Sequence, residues 1–191
     1  MKKISELWEQ KPLLLILFLG GFFRLIAVLL SKGYGMSDDH FLVIEPSQSW
    51  VDGHDYNNWL PSLTPGLTQA SGHSMLYPGL HYLFFLICDK IGFTDPQGKM
   101  YIVRLLHAIW SMLVVWIGYK ITLRIGGVKA AKAAGLLLAI YFFMPMLSVR
   151  NLVEMVCIPP LVLATWYCYR CQTDARKAGF YAGLMLGIAF S

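Results

Sequence analysis

The chain has 191 residues, 57% of them hydrophobic and only 14% charged, with a formal net charge of +5. Soluble domains carry about 25% charged residues, so this composition, with a mean hydropathy of +0.54, excludes an ordinary soluble protein and indicates an all-α polytopic membrane protein. The positive charge is clustered between long apolar runs, which makes it a topology signal and leaves no nucleic-acid partner to expect.

Lys2 and Lys3 open the chain, and Pro12–Leu30 follows as an apolar run close to the roughly 20 residues that cross a bilayer. The run is too long for a secretory signal and lacks a clear small-residue cleavage site. Arg24 lies deep inside it, where a charge is costly, and therefore marks either a functional role or a partner acid on another helix.

The stretch GMSDDHFLVIEPSQSWVDG, residues 35–53, is the one strongly acidic passage. Ser37 suits an N-cap, Asp38 and Asp39 suit the positive end of a helix, and the helix is expected to run to about Glu45, where Pro46 ends or kinks it. Seven residues, two turns, separate Asp38 from Glu45, which places both acids on one helical face. Phe41, Leu42 and Ile44 supply an apolar side for lipid. From these spacings a solvated, N-capped amphipathic helix and a carboxylate presented for chemistry are both open. Trp50 and Trp59 are expected at the membrane interface.

The segment from His73 to Phe93 is oily at Leu80–Cys88, but Pro78 and Gly79 open it and Asp89–Lys90 close it, so it is expected to lie at the interface without crossing. Lys99 and Arg104 then precede a second span, Leu105–Leu123. Further apolar runs cover Ala130–Val149, Met155–Tyr169 and Ala178 to the last residue. Lys2, Lys3 and Lys11, then Lys120, Arg124, Lys129 and Lys132, then Arg170, Arg176 and Lys177 all face the cytoplasm only if His73–Phe93 does not cross. That choice makes residues 31–99 one long external loop carrying juxtamembrane helices, and it sets Arg150, Asn151 and Glu154 on the same outer face. Cys168 and Cys171 form a lone C-x-x-C without a second pair, so neither metal nor redox work is expected there.

Asp38, Asp39, His40, Phe41, Glu45–Pro46 and Gly53 resemble, in type and spacing, the loop after the first membrane helix in the glycosyltransferase C superfamily. The likeness is to the mannosyltransferases that use polyprenyl- or dolichyl-phosphate-mannose. Asp39 stands where those enzymes usually carry glutamate. His73–Ser74–Met75–Leu76–Tyr77–Pro78 resembles their R-S-x-x-Y-P string, with histidine in place of arginine, and Asn151 and Glu154 match an N-x-x-E at the next external turn.

The resemblance implies an inverting transfer of mannose from a polyprenyl-phosphate donor to a hydroxyl on a glycan or lipid acceptor, at the external or lumenal face. Asp38 would be the general base, with Asp39 and Glu45 positioning it or the acceptor. His73, Tyr77, Arg104, Arg150, Asn151 and Glu154 are the substrate-binding candidates. No metal and no cofactor is expected. Family members carry more spans than this chain, so residues 1–191 are expected to be the N-terminal part of such a transmembrane domain, cut inside the run AGLMLGIAFS. The setting is a multi-pass protein of a bacterial plasma membrane or an endoplasmic reticulum membrane, with its N-terminus in the cytoplasm. Arg104 and Arg150 also suit plain interfacial anchors, and Glu154 a plain helix-start charge. The competing functions are a noncatalytic membrane scaffold or accessory subunit, and part of a transporter.

Overall fold

A computed structural model describes residues 2–33, 37–66, 68–69, 72–170 and 175–191, and their side chains except those of 2–4 and 37. Every element among the described residues is helical. The chain divides into two compact units, one of Met1–Gly33 with Val103–Phe190 and one of Tyr34–Ile102. The side chain of Ser37, and with it the expected cap, and the residue Cys171 lie outside what the structure describes.

The first unit begins with helix α1 (Lys2–Gln10) and helix α2 (Pro12–Leu30), the latter opened by Pro12, whose missing N–H is harmless in a first turn. Helix α2 buries Ile16, Gly20, Arg24 and Val28, one row at four-residue spacing. Its other faces expose large apolar groups, with Phe18 68% exposed. A glycine and an arginine in the buried row with large apolar groups left outside is the pattern expected when lipid, not water, is the solvent.

Eight further elements follow among the described residues, labelled α3 to α9 with a π-turn after α3. Helix α6 (Pro96–Ile140) bends at Gly127, where φ is 73° and ψ is −175°. Only glycine adopts that conformation without strain. The two arms fold back on each other: a Cβ on Gly118 would lie 2.5 Å from Leu138, and one on Gly135 would lie 3.0 Å from both Tyr119 and Ile16. Glycines at these crossings let the backbones approach, as small residues do between membrane helices. Ile16, Val115, Tyr119, Ala131 and Ala139 form the core of the unit.

The first arm of α6 carries the apolar run Leu105–Leu123 and begins earlier, at Pro96, so Lys99 and Arg104 lie in its opening turns. The run Ala130–Val149 is not one continuous helix, because α6 stops at Ile140 and a short helix, α7 (Phe143–Ser148), follows. Pro145 has no N–H for the carbonyl of Tyr141, which accepts instead from the backbone N–H of Met144 at 2.8 Å as the chain turns into α7.

Helix α8 (Val153–Tyr169) keeps Pro159 and Pro160 in its interior. Pro160 cannot donate to the carbonyl of Val156, and the indole N–H of Trp110 supplies that bond from α6 at 3.0 Å. A freed carbonyl in an apolar medium needs such a donor. Helix α9 (Ala175–Ala189) closes the unit. Helices α2 and α6 are long and apolar enough to cross a membrane, and α8, with 17 residues, is apolar but shorter.

The second unit holds α3 (Ser37–Asp39), a π-turn (His40–Ile44), α4 (Glu45–Val51) and α5 (Leu76–Lys90). Ser47 joins them: its hydroxyl lies within hydrogen-bond reach of the carbonyls of Val43 and, at 2.8 Å, Pro78, and its one proton is shared between them. Lys99 is buried and its Nζ donates to Gln48 Oε1 at 2.9 Å.

Candidate functional site

The acidic stretch does not stop at Glu45. The helical path runs through Pro46 to Val51, and a π-turn absorbs the proline. In that wider turn the N–H of Glu45 bonds to the carbonyl of His40, five residues back. The next bond in this register would join residue 46 to the carbonyl of Phe41, and Pro46 has no N–H to give. The side-chain amide of Asn57 donates to that carbonyl instead, at 3.1 Å.

One extra residue in the turn rotates everything after it by about 100°. The expectation that Asp38 and Glu45 share a face, which assumed α-helical spacing throughout, is therefore overturned. In the π register His40 stands over Glu45, and its Nε2–H donates to Glu45 Oε1 at 3.0 Å. Asp38 is exposed and Asp39 half-buried at the start of this helical stretch. His40 was not singled out by spacing, because the pairing needs five residues per turn.

Behind the acids lies a polar and aromatic cluster organised by Asp55, a second residue that sequence reasoning passed over. Its carboxylate accepts from the indole of Trp50 (3.1 Å), the backbone N–H of Leu60 (2.6 Å) and the hydroxyl of Thr64 (2.7 Å). Burial alone would raise its pKa, but these donors, with a backbone N–H from Trp59, outweigh it and hold the group below the usual carboxylate range. Trp59 is 7% exposed and stacks on His73 with centroids 4.7 Å apart, so it packs in the core of this unit. The nearby tryptophans of residues 50–59, each needing an N–H acceptor, were the available signal for Asp55.

A depressed carboxylate stabilises above its unfolded pKa, near 3.9, and that stability is lost as pH falls through the lower folded value. The Leu60 amide should therefore be protected from hydrogen exchange at pH 5–8 and lose protection in stronger acid. Asp55→Asn should lower its protection factor about ten-fold at neutral pH, since the amide places donors against donors. Unchanged protection in the variant would refute the organising role of Asp55.

Tyr77 opens α5 with its ring edge-on to buried His81 at 4.6 Å, and its carbonyl accepts from His81 Nδ1 at 3.0 Å. In the first unit, Arg104 and Arg150 meet at one atom. Arg104, 3% exposed, donates Nη2–H to the carbonyl of Gly33 at 3.2 Å. Arg150 donates Nη1–H to the same oxygen at 3.1 Å and to Lys32 at 3.3 Å. The two guanidiniums thus converge where the chain leaves α2. Asn151 is half-buried beside Arg150, and Glu154 is exposed in the first turn of α8, where a negative charge suits the helix.

Arg24 meets no acid among the described residues. Its Nε donates to Ser111 Oγ at 2.8 Å, and its two Nη groups to the carbonyls of Gly20 (3.2 Å), Ala139 (3.3 Å) and Leu138 (3.2 Å). Leu138 and Ala139 belong to the last turn of α6, whose carbonyls have no partner within the helix. The cation therefore caps a negative helix end in the interior of this unit.

The family model for dolichyl-phosphate-mannose-protein mannosyltransferases matches residues 75–191, more than half of the chain. The chain belongs to this glycosyltransferase family. Neither a curated protein nor a solved structure matches it. The matched residues of this mannosyltransferase-family chain include Tyr77, Arg104, Arg150, Asn151 and Glu154. Asp38, Asp39, Glu45 and His73 lie before the match, so their assignment rests on the loop pattern and on the geometry above.

Proposed function

We propose that this chain transfers mannose from a polyprenyl-phosphate donor to an acceptor hydroxyl at the external or lumenal face of a membrane, with inversion. Family membership carries this proposal, and the exposed carboxylate of Asp38 adds a group suited to the chemistry. The donor is already activated, because its lipid phosphate is a competent leaving group. The acceptor oxygen attacks the anomeric carbon from the face opposite the phosphate. The new C–O bond forms as the C–O bond to phosphate breaks, the acceptor proton passes to Asp38, and the lipid phosphate leaves with the electron pair. A positioned carboxylate base contributes typically about 10²–10⁴-fold.

The pairing of Glu45 with His40 fixes the Glu45 carboxylate for orienting the acceptor. Arg104 and Arg150 are assigned to the donor phosphate, the planar guanidinium being well matched to it. They already share a carbonyl acceptor at Gly33. The test is to supply radiolabelled polyprenyl-phosphate-mannose to membranes containing the protein. Label should move to a glycan, lipid or protein acceptor, and labelled donor that stays intact beside an active control enzyme would defeat the proposal.

The proposed topology places the N-terminus in the cytoplasm, with five spans and residues 31–99 outside. Cysteines introduced at His54 and Gly72, in a background lacking the four native ones, should react from outside with an impermeant thiol reagent. A cysteine at Lys129, an exposed position two residues after the bend in α6, should react only after permeabilisation. Lys129 is chosen over Gly127 because the positive φ there would strain any other residue. Reaction of Lys129→Cys from outside would mean that His73–Phe93 spans the bilayer.

A further inference from the structure

At the end of the first unit marked by the Gly127 bend, the cations gather on aromatic rings. Lys120 Nζ lies 4.1 Å from the ring centroid of Trp116 and 6.0 Å from that of Trp166. The guanidinium carbon of Arg124 lies 4.8 Å from Trp166 and 5.8 Å from Tyr169, and that of Arg170 lies 6.0 Å from Trp166. Trp166 is thus faced by three cations from two helices. Neither Lys120 nor Arg124 meets a carboxylate among the described residues. At the same end Lys132 lies over Trp8 at 5.0 Å and pairs with Glu9 at 2.8 Å, which brings in α1.

Three features distinguish this cluster from an ordinary solvated basic turn. The rings belong to Trp and Tyr, which settle at the depth of lipid headgroups. The bend exposes Ile125 (71%) and Val128 (53%) among the cations, an apolar tip that water would penalise and the acyl boundary would accept. Cations held over ring faces keep their N–H groups available on the outer side, where a phosphate oxygen can accept them. We infer that Lys120, Arg124 and Trp166 form a binding site for the headgroup of an anionic phospholipid. This rests on the membrane placement proposed above, and neither on the transferase chemistry nor on which side the N-terminus faces.

Vesicles containing the protein would be prepared with brominated phosphatidylglycerol or with brominated phosphatidylcholine at equal mole fraction, and tryptophan quenching compared. Phosphatidylglycerol should quench more strongly, and its preference should fall roughly five-fold for each cation removed in Lys120→Gln and Arg124→Gln. The exchange Lys120→Arg with Arg124→Lys should keep the preference, which separates lost charge from lost fold. Equal quenching by the two lipids in the unaltered protein would overturn the site and point to an acidic protein partner. Abolition of the preference by free inorganic phosphate would overturn the lipid assignment. No quenching by either lipid would overturn the membrane placement on which the site depends.

Discussion

Asparagine in place of Asp38 should lower turnover by about 10²-fold or more, because the amide keeps the side chain's shape but cannot take the acceptor's proton. Asp39→Asn should cost less, since the half-buried neighbour is assigned to positioning. Glu45→Gln should act mainly on acceptor affinity, and His40→Ala should share that effect because it removes the partner that holds Glu45. Expression and helicity are checked first, as losing one charge at a helix start costs about 0.3–1 kcal/mol without touching chemistry. The measurement is mannose transfer from the polyprenyl-phosphate donor at saturating acceptor. Normal turnover in a well-folded Asp38→Asn with an inactive Asp39→Asn would move the base to Asp39. Full activity in both would end the assignment of catalysis to this loop.

Methionine in place of Arg24 should loosen the packing of α2 on the α6 hairpin by about 2–4 kcal/mol. Two effects compete. Removing the charge makes α2 easier to insert, by about 2.5–3.5 kcal/mol. That gain does not favour packing, because the helix is inserted whether or not it is docked. What packing loses are the donors to Leu138 and Ala139, carbonyls at a helix end with no other partner in their own helix. Ser111 is less affected, since its hydroxyl still donates to Ala108 at 2.8 Å. Arg24→Lys should fall between, as one ammonium cannot span acceptors on three segments. Unfolding in detergent provides the measurement. A melting point for Arg24→Met equal to that of the unaltered protein would show that the cap contributes nothing.

The sequence alone determined the all-helical class, the bounds of α2 and the family. Each rests on a signal carried within a short stretch: apolar run length, a proline at a helix start, residue types at fixed spacing. The helices between residues 37 and 90 were legible for the same reason, and Leu76–Lys90 falls inside the oily segment first read from His73 to Phe93. Asp38, Asp39 and Glu45 could be named as candidates, but their mutual placement could not. That depended on how one helix solves the problem of Pro46, and the solution takes a side-chain amide from Asn57. The same logic hid the role of Arg24, whose acceptors lie on a helix end more than a hundred residues away in the chain. It also hid the bond from Trp110 that lets α8 carry Pro160, and the four donors that gather on Asp55. Each of these is a polar group short of a partner in its own segment. Periodicity reports which face of a segment is apolar, whereas the partner of an unsatisfied donor or acceptor is fixed only when distant segments meet.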